Sequence, residues 1–553
     1  MCRELTIFKI TEPIILIFFL VLGVFCIIFL SPPLGGFADE ASRIGDAIVN
    51  AKPQSLFGII MNKELWLALH PPLDYIFRAL SIYPFVEFFS ISNKSIIILQ
   101  KCLSFIFLSL MSFIFIKSLV NNKDEKNILI ITLIVLPTLY IFQLGSIYSL
   151  TSCTAGFFLY LSFYYLIKSK NFYDIIKSSL LISIATQFRP EAILFAPAVI
   201  LYILYFYGFF KSSLSGLIII FPVTLRLFFK KMFNGDISYF KFSDRYFLPD
   251  YNFLNSISLI IEKSHLSFYN LQIISFILIS LFLFFLVWNC MHINKYNNKA
   301  AFIFIILIYI TYLTLLLIGY NFGIGRPEPR NIIYLIPLFV VPFAIYINNL
   351  SLKIMSSSMR KVSLIIIIFL SCVKSVHTYS YFHDYHKYHM TTAMELDELL
   401  NDINLNEGIL IDHLGFREWA LRAHFITPNL VNKFCSYDRC KKTDIEITKD
   451  EINPFLRNGG DILPKLKEFN FRALNFIFAE NPNFIVTLQE FEWNKFDARY
   501  SKINSLHHSI VYYFTDFKAG KKLINFNFTE LKNHSYTLIR STKHLQLYKK
   551  ASN

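Results

Sequence analysis

The sequence predicts a polytopic α-helical membrane protein with a C-terminal soluble domain of mixed α/β type. Of the 553 residues, 55% are hydrophobic and the mean hydropathy is +0.49, which is too apolar for a soluble protein of ordinary composition. The apolar residues form long uncharged runs, many of them close to the roughly 20 residues with which a helix crosses the hydrocarbon core. From Tyr379 onward the chain becomes charged and Asn-rich. This change of composition predicts a second domain.

About eleven apolar runs predict transmembrane helices. The first, Pro13 to Ser31, is too long for the apolar core of a signal peptide and no small-residue cleavage site follows it, so we interpret it as a retained span. The later runs cover 96–116, 128–144, 149–167, 175–188, 192–210, 214–229, 271–288, 301–318, 332–347 and 362–376. We therefore assign residues 1–378 to a transmembrane domain with an outer loop at 33–93, and residues 379–553 to the second domain.

The second domain has the pattern of a mixed α/β fold. Residues 391–403 have helical periodicity, and 416–425 also predict a helix. The short apolar runs 408–412 and 484–488 predict buried strands. No Gly-rich phosphate loop occurs in this part of the sequence.

Basic residues in the first loops predict a cytoplasmic N-terminus in the cell (inner) membrane, because short cytoplasmic loops of multi-pass proteins are enriched in Lys and Arg. The later orientation depends on Arg189-Pro190-Glu191, which interrupts a long apolar stretch. If the chain crosses the membrane twice there, the first outer loop and the C-terminal domain share the outer side; if it crosses once, they lie on opposite sides. We favour two crossings and a periplasmic C-terminal domain, because Arg and Glu beside a helix-breaking proline suit a water-facing turn.

The composition also argues against two other classes of protein. The net charge of +15 is scattered along the chain, which favours anionic lipid over nucleic acid as the partner. The eight cysteines have no metal-ligand spacing. Cys435 and Cys440 lie in the polar C-terminal part, and the sequence leaves open whether they form a disulfide there.

The adjacent carboxylates Asp39 and Glu40 follow the first span directly. Such a pair is costly against lipid but useful in a substrate cavity, where a carboxylate takes the proton of an attacking hydroxyl or amine. The alternative is that the two acids simply open a surface helix, where the helix dipole favours them. His70 and Asp74 flank Pro71-Pro72, a typical helix start, and either residue could contact a substrate, His70 by binding a phosphate or assisting proton transfer. The alternative is that such a residue only positions the chain.

Three arginines are candidates for binding a phosphate leaving group, since a planar guanidinium can donate two hydrogen bonds to it. They are Arg189, which is followed closely by Glu191, together with Arg326 and Arg330; Arg245 is a weaker candidate. The alternative is that these arginines extend from the ends of spans toward the headgroups. His383, His386 and His389 recur every three residues, but the aromatic residues between them favour an interfacial belt over a metal site.

Three segments resemble a known family. They are Asp39-Glu40-Ala41-Ser42-Arg43 followed by His70-Pro71-Pro72-Leu73-Asp74-Tyr75, then Thr186-Gln187-Phe188-Arg189-Pro190-Glu191, and the stretch from Arg326 to Pro337. Together they resemble the GT-C superfamily of membrane glycosyltransferases, in particular its protein O-mannosyltransferase and ArnT-like branch. Two features depart from the family pattern. Residues 145–149 lack the second acid that the family often carries there, and the chain has no Asp-x-Asp.

The resemblance implies an inverting transferase that moves a hexosyl or pentosyl group from a polyprenyl-phosphate donor to a lipid, glycan or protein acceptor on the outer face. Asp39 and Glu40 are its expected catalytic residues, with Asp39 as the general base. The expected substrate-binding residues are His70, Asp74, Arg189, Glu191, Arg326 and Arg330. No cofactor is expected; a divalent metal is compatible with the pattern, but no motif supports one. The alternatives are a transporter or flippase of a lipid-linked sugar and a catalytically inactive GT-C-like partner.

Overall fold

The computed structural model describes two sets of residues, one on each side of Val376. The first set is 12–30, 72–89, 93–120, 125–138, 142, 145–146, 151–169, 171–234, 306–308, 333–354, 362, 366, 369 and 373. The second is 391, 394–400, 410–412, 440–442, 478, 481–488, 490–492, 523–525 and 529–551. The chain divides into two compact units, the larger one including residues 99–376 and the other including residues 377–553.

The described helices of the larger unit follow the apolar runs of the sequence. They are α1 (Glu12–Leu30), α2 (Pro72–Glu87), α3 (Asn93–Leu119), α4 (Glu125–Val135), α5 (Thr151–Ile167), α6 (Phe172–Phe188), α7 (Ala196–Tyr207), α8 (Phe209–Asn234) and α9 (Ile336–Ile354). Short 3₁₀ turns cover Leu136–Thr138, Pro190–Phe195 and Ile333–Leu335. The predicted runs 271–288, 301–318 and 362–376 lie largely or wholly outside the described residues, so the number of spans stays a prediction.

Several helices present apolar side chains outward. Among the described residues, α1 and α3 are long and apolar enough to cross a bilayer, with mean hydropathies of 2.8 and 2.1 over their spans. On α1, Phe18 and Phe29 are 70% and 68% exposed, and on α8 Phe209 and Phe210 are 78% and 77% exposed. Such apolar surfaces are unfavourable in water and are typical of helices that contact lipid or another apolar partner.

Helices α5 and α6 form an antiparallel hairpin. Asn171 caps the start of α6, since its side-chain oxygen accepts a hydrogen bond from the Asp174 N–H at 3.1 Å. Midway along the hairpin, the Ser162 and Ser178 hydroxyls are 2.8 Å apart. Small polar side chains that pair with each other allow two helices to pack closely without leaving a buried hydroxyl unsatisfied.

The chain reverses direction at Arg189-Pro190. The ring of Phe195 packs against that of Phe163, with centroids 6.0 Å apart. Phe163 follows Ser152 on α5 by about three helical turns. Since α6 ends beside Ser152, the segment after Pro190 must run back antiparallel to α6. A second reversal follows at Gly208, whose φ of +89° suits glycine, and Ser212 on α8 then donates to the Ile200 carbonyl of α7 at 3.0 Å.

The smaller unit contains a five-stranded mixed sheet. Its strands are β1 (Leu410–Asp412), β2 (Cys440–Lys442), β3 (Phe484–Leu488), β6 (Tyr536–Ser541) and β7 (Leu545–Lys550), in the order β2-β1-β3-β7-β6. The first three strands are parallel, and β7 pairs antiparallel with both β3 and β6. Strands β4 (Glu490–Glu492) and β5 (Leu523–Asn525) form a separate pair, and helix α10 (Thr529–Asn533) precedes β6. Strand β3 coincides with the predicted run 484–488, whereas the predicted helix 416–425 lies outside the described residues.

The β6–β7 hairpin is held by its own side chains and by a neighbouring helix. Tyr536 donates its hydroxyl hydrogen to the Pro482 carbonyl at 2.8 Å, and burial raises the pKa of this phenol to about 12, so it remains a donor at physiological pH. Glu395, in the helical residues 394–400, accepts from the Thr542 hydroxyl at 2.7 Å and from the His544 N–H at 2.9 Å. Its second oxygen lies 2.7 Å from Nδ1 of His544. The Glu395 carboxylate therefore connects the helical residues 394–400 to the turn of the β6–β7 hairpin.

We expect Glu395→Ala to loosen this turn. Hydrogen bonds to a charged group contribute about 1.5–3 kcal/mol each, so amide exchange at His544 and Leu545 should accelerate by roughly 10–100-fold. Hydrogen–deuterium exchange measured by mass spectrometry on the full chain checks this. Thr537→Ala, which removes an exposed hydroxyl from the same hairpin, serves as the control and should change exchange little. Equal exchange in wild type and Glu395→Ala would contradict the assignment.

Candidate active site

Three of the predicted site residues fall within the described part of the chain. Asp74, Arg189 and Glu191 belong to the larger unit, and both Asp74 and Arg189 are buried. The other predicted site residues, Asp39, Glu40, His70, Arg326 and Arg330, lie outside the described residues, as do the weaker candidates Arg245, His383, His386 and His389. Their roles stay predictions.

Helix α2 begins at Pro72, at the Pro-Pro step where the sequence predicts a helix start. Asp74 lies in its first turn, and its Oδ1 accepts a hydrogen bond from Nε of Arg78 at 3.0 Å, one helical turn further on. Both side chains are at most 4% exposed. The spacing of four residues places both side chains on one face of α2, which allows this pair.

The Arg78 side chain also links α2 to α3. Its Nη1 donates to Oε1 of Gln100 at 3.3 Å, Nε2 of Gln100 donates to the Ser81 hydroxyl at 2.9 Å, and that hydroxyl donates to the Arg78 carbonyl at 2.8 Å. We refer to Asp74, Arg78, Ser81 and Gln100 as the Arg78 network. Its hydrogen bonds form a closed ring that returns to the residue from which it starts.

Arg189 lies at the point where α6 ends. A residue before proline is disfavoured in the α conformation, and Arg189 has an extended backbone with φ −142° and ψ 120°. The helix therefore stops at Phe188, and the Arg189 N–H still donates to the Ala185 carbonyl at 3.0 Å. The Arg189 side chain is 4% exposed, and its Nε donates to the Ser152 hydroxyl, in the first turn of α5, at 3.3 Å.

Tyr334 completes a polar cluster at this turn. It is fully buried, and its hydroxyl lies within electrostatic reach of Arg189 and Glu191 and beside Ser152. Its backbone carbonyl accepts a hydrogen bond from the Tyr160 hydroxyl at 2.7 Å, and its ring meets that of Phe195 with centroids 5.7 Å apart. We refer to Ser152, Arg189, Glu191 and Tyr334 as the Arg189 cluster.

The Arg189 cluster has the donor groups that a phosphate requires. A guanidinium and two hydroxyls, from Ser152 and Tyr334, come together among apolar helices, where charge-assisted hydrogen bonds are stronger than in water. Sequence reasoning missed both hydroxyls. Tyr334 lies within the segment Arg326 to Pro337 that carries the family resemblance, so its position was a usable signal, whereas nothing in the sequence near Ser152 marks that residue.

Aromatic residues connect the Arg78 network with the Arg189 cluster. Phe77, next to Arg78, meets Phe188, next to Arg189, edge to face with ring centroids 5.6 Å apart. Phe188 also stacks on Phe158 of α5, with centroids 5.4 Å apart and planes 16° apart. Within the described residues, no group of three or more His, Cys, Asp or Glu side chains could hold a metal ion.

Comparison with known proteins gives matches to structures only. No family model and no curated protein matches the sequence. The chain is similar to ArnT from Cupriavidus metallidurans in the apo state, with 10% identity, a TM-score of 0.43 and 76% of both chains covered. It is also similar to the same enzyme bound to undecaprenyl phosphate, with 10% identity, a TM-score of 0.46 and 98% of both chains covered.

A third similar structure is the archaeal oligosaccharyltransferase AglB from Archaeoglobus fulgidus, in complex with an inhibitory peptide and a dolichol-phosphate. The identity is 9% and the TM-score 0.44, covering 89% of this chain and 72% of AglB. All three identities are at most 10% and all three TM-scores are below 0.5.

Proposed function

We propose that this protein is an integral membrane glycosyltransferase of the GT-C type, which transfers a hexosyl or pentosyl group from a polyprenyl-phosphate donor to an acceptor on the outer face. The observation that supports this most is the Arg189 cluster. A buried guanidinium that donates to the Ser152 hydroxyl, at a chain reversal among apolar helices, is suited to a phosphate that is anchored in the same membrane by its lipid. The carboxylate pair Asp39-Glu40 supplies the second element that the reaction requires.

In the proposed reaction, a hydroxyl or amine of the acceptor attacks the anomeric carbon of the sugar while Asp39 takes its proton. The bond between that carbon and the phosphate oxygen breaks with inversion, and the bonding electrons leave with polyprenyl phosphate. Arg189 stabilises the charge that develops on the leaving phosphate, as preorganised donors do in a site that excludes water. Arg326 and Arg330 are further proposed phosphate ligands, His70, Asp74 and Glu191 proposed substrate contacts, and Glu40 supports Asp39 by position.

The observation in favour of a transporter is the same broken helix. Discontinuous helices with buried charge also form the binding sites of transporters, and a flippase of lipid-linked sugars would need them. The carboxylate-rich first loop favours the enzyme, because transfer to a hydroxyl or amine requires a base for the acceptor's proton. An inactive GT-C-like partner is the third alternative, since residues 145–149 lack an acid.

A transfer assay separates these functions. Purified protein in liposomes receives a polyprenyl-phosphate donor with a radiolabelled sugar, and a native membrane extract supplies lipid, glycan and protein acceptors. We expect the label to move to an acceptor and free polyprenyl phosphate to accumulate. Movement of intact donor between leaflets without sugar release would instead identify a flippase, and the absence of both would identify an inactive partner.

We further propose that the protein resides in the inner membrane with a cytoplasmic N-terminus and a periplasmic domain at 379–553. The reversal of the chain at Arg189-Pro190 supports two crossings at this point, which puts that domain on the side of the first outer loop. A cysteine at the exposed Asn533 should react with a membrane-impermeant maleimide in intact spheroplasts. Labelling only after the membrane is opened would place the domain in the cytoplasm.

A further inference from the structure

The Arg78 network is more elaborate than helix packing requires. Asp74 and Arg78 neutralise each other, and Gln100 and Ser81 close the ring, all within apolar helices. Replacing a buried ion pair by well-packed apolar residues is often neutral or stabilising, so stability alone is a weak reason for such an arrangement. A closed set of directional hydrogen bonds, by contrast, permits only one rotation and one register of α2 against α3.

That register determines where Phe77 lies. Phe77 directly precedes Arg78 and contacts rings on two other helices, Phe107 at 5.9 Å and Phe188 at 5.6 Å between centroids. Phe188 is the last residue of α6 and is held on its other side by Phe158. The residue after Phe188 is Arg189, whose backbone has already left the helix. A shift of α2 is therefore transmitted by two packed rings to the base of the Arg189 side chain.

We propose that the Arg78 network is a positioning device for the Arg189 cluster: Arg78, with Asp74, Ser81 and Gln100, orients α2 so that Phe77 and Phe188 hold the Arg189 guanidinium against Ser152. This gives Asp74 a role through Arg78 besides the contact with substrate proposed above. The phosphate ligand of the Arg189 cluster rests on the proposed function. The positioning of Arg189 by the Arg78 network does not depend on that function.

The test uses Gln100, which touches neither Arg189 nor Ser152 through any hydrogen bond described above. Gln100→Leu removes the acceptor for Arg78 and the donor for Ser81, while Gln100→Glu keeps the acceptor for Arg78 and removes only the donor for Ser81. The matched control is Lys117→Met, which breaks the ion pair of Lys117 with the buried Glu125 at the opposite end of α3. If Gln100→Leu does not fold, Ser81→Ala takes its place, since it removes the two ring bonds of Ser81 and keeps the bond between Arg78 and Gln100.

Cys153 reports on the cluster without any substrate. Its thiol is buried directly after Ser152 and lies 3.7 Å from the Gly145 carbonyl. Alkylation by N-ethylmaleimide is followed peptide by peptide in the full-length protein, with Cys26 on α1 as the internal reference. We expect Cys153 to react roughly 10-fold faster in Gln100→Leu, since losing hydrogen bonds to a charged group favours local opening by about that factor. Gln100→Glu, which keeps the bond to Arg78 alone, should react at a rate between those of wild type and Gln100→Leu, and Lys117→Met should react like wild type.

The second readout is affinity for undecaprenyl phosphate, with uncharged undecaprenol as the comparison. We expect roughly 10-fold weaker binding of the phosphate by Gln100→Leu, because the direct phosphate donors are kept but displaced, and an intermediate affinity for Gln100→Glu, which keeps one of the two bonds of Gln100. An unchanged Cys153 rate in Gln100→Leu, or an equal rise at Cys26, would overturn the positioning role. If the wild-type protein binds undecaprenyl phosphate and undecaprenol with equal affinity, the proposed polyprenyl-phosphate donor is wrong. The alkylation rates of Cys153 still test the positioning role of the Arg78 network in that case.

Discussion

Asp39→Asn is expected to reduce sugar transfer by about 10²–10⁴-fold, the usual contribution of a positioned general base. Asparagine keeps the size of the side chain but cannot accept the proton of the attacking hydroxyl or amine. Donor affinity should stay close to that of wild type, because the base acts on the acceptor and not on the phosphate. The measurement is initial transfer rate at saturating donor, together with binding of undecaprenyl phosphate.

Glu40→Gln is the matched control for Asp39→Asn. It removes one charge from the same loop, so a general electrostatic effect of the loop would lower both activities alike. We expect Glu40→Gln to retain most of the activity, since this carboxylate is proposed to support Asp39 only by position. Equal activity of wild type and Asp39→Asn would remove Asp39 from the mechanism, and equal losses in both variants would assign the effect to the charge of the pair.

Arg189→Gln is expected to reduce kcat/KM for the lipid-linked donor by about 10²–10³-fold, the effect of removing one preorganised donor from a developing negative charge. Glutamine is long enough to fill part of the space but carries no charge. Arg189→Lys should fall between glutamine and wild type, because lysine restores the charge without the planar pair of donors. Both the donor affinity and the turnover rate should fall, since the phosphate is charged in the bound donor and in the transition state.

Two controls separate binding of phosphate from folding in this experiment. Arg540→Gln removes an arginine of the smaller unit that donates to the Leu399 carbonyl at 3.4 Å, and it should leave transfer unchanged. Thermal unfolding of Arg189→Gln shows whether the chain reversal survives without the bond to Ser152. A stable Arg189→Gln protein with wild-type donor kinetics would exclude Arg189 from the site.

The sequence allowed the larger helices to be placed, because a helix that faces lipid must be apolar over most of its length. The run 175–188 predicted α6 and its end, since Pro190 prevents the helix from continuing past Phe188. The observed start at Phe172 is earlier than the apolar run, because Asn171 caps a polar first turn that contains Asp174. A hydropathy profile does not detect a polar first turn of this kind.

The partners of the buried polar residues were not predictable in the same way. Arg78 could have been paired with Asp74 from their spacing, but nothing in the sequence indicates Gln100, 22 residues away, as the next member of the ring. Ser152 and Arg189 are 37 residues apart, and Tyr160 and Tyr334 are 174 apart. Helices in lipid are apolar on nearly every side, so periodicity carries little information about which face meets which neighbour.

By itself, the sequence determined that the chain has long apolar helices, that proline ends one of them beside an arginine, and that two carboxylates follow the first span. These three features can be read from short segments, since the polarity of a segment and the effect of a proline on the backbone depend on only a few neighbouring residues. Only the tertiary structure decided that Arg189 donates to Ser152, and that Arg78, which binds Asp74, forms a closed ring with Gln100 and Ser81. Those contacts join distant segments, and they depend on the rotation and register of packed helices.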